Sequence, residues 1–103
     1  MKITKMDPGL KDQVALADFN AAWCAPCRQT APVIRDLAEK YQNTVAVAEI
    51  DINSRADVAT RYMVQGIPTL ILFDQGREIK RFMGIQPKET LEKTLYDILS
   101  DHR

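Results

Sequence analysis

The spacing of hydrophobic and polar positions changes along this chain, and the changes mark out its elements. Val14-Ala15-Leu16-Ala17-Asp18-Phe19 is a continuous apolar run broken by one carboxylate. Such a run fits a central strand buried on both faces better than an alternating edge strand. From Ala25 or Pro26 the period becomes helical, with Ile34, Leu37, Ala38 and Tyr41 at i, i+3, i+4 and i+7, the stripe of a helix lying on a sheet. Pro26 suits the first turn, where its missing N–H is not needed. Pro32 removes a hydrogen bond inside the same helix and is expected to kink it. Gln42-Asn43 closes the helix, and Val45 to Ile52 forms a second central strand. Strand, helix and strand within residues 14–52 make a βαβ unit, so the two strands run parallel.

Beyond it, Asn53 or Ser54 is placed to cap a short helix reaching Tyr62 or Met63, with Val58, Ala59 and Tyr62 facing inward. Leu70-Ile71-Leu72-Phe73 is a strand, Asp74-Gln75-Gly76 a tight turn, and Arg77 to Met83 an antiparallel edge strand that Gly84 stops. Pro87 opens a last helix with Leu91, Leu95, Ile98 and Leu99 on one face. Residues 1–13 are weakly patterned, with a turn signal at Asp7-Pro8-Gly9, and hold at most a short strand or helix. The expected fold class is α/β: one domain over residues 1–103, a central mixed β-sheet flanked by helices, with a C-terminal β-hairpin and helix.

Composition narrows the function. The 103 residues carry 14 basic and 14 acidic side chains, a formal net charge of zero. No concentrated basic face points to nucleic acid. No run approaches the roughly 18 apolar residues that span a bilayer. Met1 to Asp7 lacks an apolar stretch behind its charge, unlike a secretory signal. A cytoplasmic, monomeric protein is therefore expected. In a reducing compartment the two cysteines, Cys24 and Cys27, do not suit a structural staple and point to catalysis or metal binding.

Their chemistry can be argued from the spacing. A zinc site needs two further ligands, and the one histidine is His102 in the C-terminal tail. A purely structural disulfide closing so short a loop gains little loop entropy. Thiol–disulfide exchange fits better. It needs a thiolate, of which a free cysteine with a pKa near 8.5 supplies only a few per cent at neutral pH. Cys24 lies at the front of a helix, where unpaired N–H groups and the macrodipole lower a thiol pKa by about 0.2–1.5 pH units. A hydrogen bond from the Cys27 thiol would supply the remainder. One helical turn brings the two sulfurs within bonding reach. Cys24 is then the exposed nucleophile, and Cys27, deeper in the helix, resolves the mixed disulfide. Trp23, beside the nucleophile, flanks the site or, alternatively, belongs to the core. Asp18, inside a central strand, is a candidate proton acceptor for Cys27, its pKa raised by burial; the alternative is a strand-end carboxylate reaching solvent.

Ala17-Asp18-Phe19, Trp23-Cys24-Ala25-Pro26-Cys27, Gly66-Ile67-Pro68-Thr69 and Gly84, in this order and at these separations, resemble the marks of the thioredoxin family. The resemblance runs from about Val14 to Leu99. It implies a thioredoxin fold, with the N-terminal portion shortened, and a protein-disulfide reductase that needs no bound cofactor or metal. An electron donor of the thioredoxin-reductase type and proteins with disulfides would be its partners. It also implies proton transfer by Asp18, a cis Ile67–Pro68 bond, and a docking surface of Trp23, Ala25, Pro26, Ile67, Pro68, Gly84 and Ile85. For Ile67 and Ile85 a place in the core is the alternative.

Three positions depart from the family pattern. Ala25-Pro26 replaces the commonest Gly-Pro between the cysteines, and alanine favours the helix over glycine by about 0.8–1 kcal/mol. Asn20 stands where a tryptophan is common, making one wall of the site smaller and more polar. Glu49 occupies the place of a lysine that faces the aspartate in many members, and so is assigned to pKa tuning. Two carboxylates at about 6 Å repel by roughly 3 kcal/mol, about two pH units. Either one of Asp18 and Glu49 stays protonated at neutral pH, or Glu49 turns toward water or a base. An oxidase, an isomerase or a dedicated relay on the same fold is the alternative function. A binding subunit with idle cysteines is disfavoured by the intact cysteine pair.

Overall fold

The computed structural model describes residues 3–4 and 13–101. The elements are β1 (Ile3–Thr4), β2 (Val14–Asn20), α1 (Ala25–Lys40), β3 (Val45–Asp51), α2 (Ala56–Arg61), β4 (Thr69–Asp74), β5 (Arg77–Met83) and α3 (Lys88–Ser100). They build one sheet in the order β1-β3-β2-β4-β5. β1 and β2 run parallel to β3, β4 is antiparallel to β2, and β5 is antiparallel to β4. The mixed sheet and the hairpin therefore stand where the apolar pattern put them.

Alternation along β2 sends its side chains to two different cores. Val14 and Leu16 join Val45, Val47, Leu70 and Leu72 against Ile34, Leu37 and Ala38 of α1 and Leu91, Leu95 and Ile98 of α3. Ala15, Ala17 and Phe19 point the other way, joining Ala48, Ile50, Ile71 and Phe73 under Val58 and Ala59 of α2. Tyr62 closes that second core with its ring 6.3 Å from Phe19 and 5.2 Å from Phe73. Each leucine, isoleucine or phenylalanine so buried contributes roughly 1.5–3 kcal/mol of transfer free energy.

The start of α2 differs from the pattern. α2 starts only at Ala56, and neither Asn53 nor Ser54 caps it, because Asp51 commits both to a turn. The Asp51 carboxylate accepts from Asn53 N–H at 2.8 Å, and its main-chain carbonyl accepts from Ser54 and Arg55 N–H at 3.1 and 2.8 Å. α1 continues through Pro32 as one 16-residue helix. The turn signal at Asp7-Pro8-Gly9 lies outside the described residues. At the far end of β5, Gly84 takes φ +86°, open to glycine without penalty, and its N–H donates to the Pro68 carbonyl at 2.8 Å. That bond fixes the end of the hairpin beside the loop before β4.

Candidate active site

The loop from β2 to α1 turns at Ala21, whose carbonyl accepts from Cys24 N–H at 3.1 Å. Cys24 is then the extended N-cap residue of α1, at φ −94° and ψ 110°. Its sulfur takes the part that a serine or aspartate oxygen usually plays, accepting from Cys27 N–H at 3.2 Å. One of the four orphan donors of the helix start is thus aimed at the Cys24 sulfur, where it favours negative charge. Cys24 and Cys27 are joined in a disulfide, with Cα atoms 5.3 Å apart.

Exposure does not separate the two cysteines as the sequence led us to expect. Cys24 is 5% exposed and Cys27 4%, because the disulfide folds against Ala21, Ile52 and Ile67. The asymmetry lies in direction instead. The Cys24 sulfur caps the helix and sits 3.9 Å from the Ile67 carbonyl oxygen, whereas Cys27 belongs to the first helical turn.

Around this pair the other residues fall into two groups. Trp23 is 67% exposed and Ile85 is exposed, so neither is core; Ala25 and Pro26 are exposed as well. Ile67 and Gly84 are half-buried and Pro68 is buried. The Ile67–Pro68 peptide is cis. Below the rim lies the carboxylate. Asp18 is 1% exposed on the α1 side of β2, directly opposite Glu49 in the parallel register. Its Oδ2 accepts from Asn20 Nδ2 at 3.2 Å, and its Oδ1 meets no hydrogen-bond partner among the described residues. Neither sulfur is hydrogen-bonded to it.

Burial pushes the Asp18 carboxyl up from 3.8 to about 6. The Asn20 hydrogen bond opposes that rise, Glu49 adds to it, and Arg35 opposes it again. Desolvation therefore outweighs the carboxylate repulsion expected from the sequence. Glu49 has taken the second of its two options, turning toward a base: its Oε1 lies 3.5 Å from Arg35 Nε. With its pKa near 6, Asp18 is mostly ionised at neutral pH.

The thioredoxin family model matches residues 4–97. A thioredoxin of Alicyclobacillus acidocaldarius is 44% identical over 88 residues, covering 85% of this chain and 84% of its own length. A thioredoxin of Staphylococcus aureus is 38% identical over 89 residues, covering 86% of each. The chain belongs to the thioredoxin family.

With a disulfide-bonded Cys24–Cys27 pair on a thioredoxin-family fold, the chain is a thiol–disulfide oxidoreductase, a protein-disulfide reductase. Membership implies a reductase that feeds it and disulfides that it reduces. Among the described residues no helix is long and apolar enough to cross a membrane, and no group of three or more His, Cys, Asp or Glu is placed to hold a metal ion. Two residues beside the site escaped the sequence. Arg28 returns from α1 to donate to the Ala22 carbonyl at 2.8 Å, bracing the active-site loop with a cation. Met83 is exposed, and its Cε would lie 3.7 Å from a Cβ at Gly66, so it rests against the loop that carries Ile67. A methionine ending an edge strand and an arginine on a helix surface carry no local signal of either place.

Proposed function

We propose that this thioredoxin-family chain works as a single domain and a monomer in the cytoplasm. It reduces protein disulfides with Cys24 as nucleophile, Cys27 as resolving thiol and Asp18 as proton acceptor. The observation that carries the reading is the placement of the Cys24 sulfur, capping α1 and facing the Ile67 carbonyl. A thiolate there is stabilised by an N–H that already points at it.

In the reduced protein the Cys24 thiolate attacks one sulfur of a substrate disulfide. A mixed disulfide forms, and the other substrate sulfur leaves as a thiolate. Cys27 then gives its proton to the Asp18 carboxylate, through an intervening water, and its thiolate attacks the Cys24 sulfur. The second substrate thiolate leaves, the Cys24–Cys27 disulfide closes, and two electrons have passed to the substrate. A separate protein of the thioredoxin-reductase type returns two electrons. Substrate docks as an extended segment over Trp23, Ala25, Pro26, Ile67, Pro68 and Gly84, pairing with the Ile67 main chain as an added strand would. Asp18 must be ionised to accept, so turnover falls as pH drops through about 6.

Turnover of a protein disulfide, with a reductase and its reductant present, tests the reading. Cys24→Ser and Cys27→Ser are each expected to abolish it, whereas Cys24→Ser retaining full turnover would overturn every dithiol mechanism. A strongly oxidising potential for the Cys24–Cys27 couple would overturn the reductive direction.

A further inference from the structure

Asn20 departs from the family pattern, and its surroundings give it a task. It ends β2 two residues beyond Asp18, on the same face of the sheet. Its Nδ2 makes two bonds, to Asp18 Oδ2 at 3.2 Å and to the Asp18 main-chain oxygen at 3.3 Å. A main-chain carbonyl can only accept, so the second bond fixes which end of the carboxamide faces Asp18. The carboxyl therefore always meets a donor at Oδ2. A proton on Oδ2 would set O–H against N–H, whereas Oδ1 is buried and meets no partner among the described residues.

We propose that Asn20 is a positioning residue for proton transfer, holding Oδ2 of Asp18 so that Oδ1 alone receives the proton. The proposal rests on Asp18 as the acceptor for Cys27 and adds which oxygen accepts and what selects it. The groups facing Asp18 from the neighbouring elements are few. Glu49 is opposite on β3 and paired to Arg35 of α1, and Asp51 is opposite Asn20. Leu70 is opposite on β4, and the buried residues of α3 are Leu91, Leu95 and Ile98, none of them charged. Asn20 is thus the one group on this face that hydrogen-bonds the carboxyl among the described residues. Its bond acts in the direction that keeps Asp18 ionised near neutral pH, against burial.

The test uses the oxidised protein, whose cysteines do not titrate, and follows the Asp18 carboxyl carbon by NMR against pH. Asn20→Leu, which keeps the branched four-atom side-chain skeleton and removes the donor, is expected to raise the Asp18 midpoint by about one pH unit, the scale of a hydrogen bond to a charged group. Asn20→Asp keeps the shape and substitutes an acceptor, so it should raise the midpoint further. It also serves if the leucine variant does not fold. A midpoint unmoved in both variants overturns the proposal, since a purely structural role for Asn20 leaves the titration alone. The low-pH limb of turnover, measured on the reduced variants, separates the two layers. A limb that moves up with the midpoint supports both. A midpoint that moves while the limb stays leaves Asn20 acting on Asp18 but removes Asp18 as the acceptor.

Discussion

β2 carries two rows of side chains that meet different fates. The row toward α2 runs Ala15, Ala17, Phe19 and stays apolar to its end, finishing in the ring cluster with Tyr62 and Phe73. The row toward α1 begins as Val14 and Leu16 but finishes as Asp18 and Asn20, in the half of the strand that leads into the cysteine loop. One strand thus serves two ends. The first row gains stability with every residue it buries. The second gives some up at Asp18, because a carboxylate there is more costly to ionise than in water. What looks like one hydrophobic run in the sequence is a packing row beside a chemical one.

The largest expected effect opens the core that the packing row fills, from its neighbour on β4. Phe73→Ala on the α2 face should lower unfolding stability by about 3–5 kcal/mol in denaturant titrations. It should leave the Asp18 midpoint near pH 6. A shifted midpoint would show that the two rows are not separable.

The next effect concerns the chemical row and has the opposite sign. Folding raises the Asp18 pKa from 3.8 to about 6, so the native state holds this proton more tightly than the unfolded chain does. The stabilising contribution of the protonated form is complete below about pH 4, is lost as pH rises through 4 to 6, and stays lost above. Asp18→Asn should therefore gain between about 2 and 3 kcal/mol over wild type at pH 8 relative to the same comparison at pH 4, while turning over more slowly near neutral pH. Unfolding curves at the two pH values check it, and equal differences at both would contradict it.

A smaller effect tests the loop that joins the α2 side to the docking rim. Met63 takes φ +55° and is 74% exposed, so its side chain has little to lose. Met63→Gly should raise stability by about 1 kcal/mol, the left-handed penalty less the greater chain entropy of glycine. Thermal melts read the change.

Much of this was legible in the sequence because it is local. The apolar run of β2, the helical stripe of α1, the β4–β5 turn and the Cys24–Cys27 spacing each fix their own structure. The late start of α2 is local too but was not read, because Asp51, rather than Asn53 or Ser54, draws the N–H groups of Asn53, Ser54 and Arg55 into a turn. Glu49 was placed correctly opposite Asp18, yet its direction depended on Arg35, fourteen positions earlier on α1. The near-equal burial of the two cysteines was hidden for the same reason: Ile52 and Ile67, which cover the disulfide, come from distant segments.

That equal burial puts the most weight on the claim that direction, rather than exposure, makes Cys24 the nucleophile. Mixing reduced Cys27→Ser with a protein disulfide and measuring the mass of the product tests it directly. The account predicts a stable covalent adduct through Cys24 and, at matched pH, far slower adduct formation by Cys24→Ser. Adducts forming equally fast with both variants would contradict it.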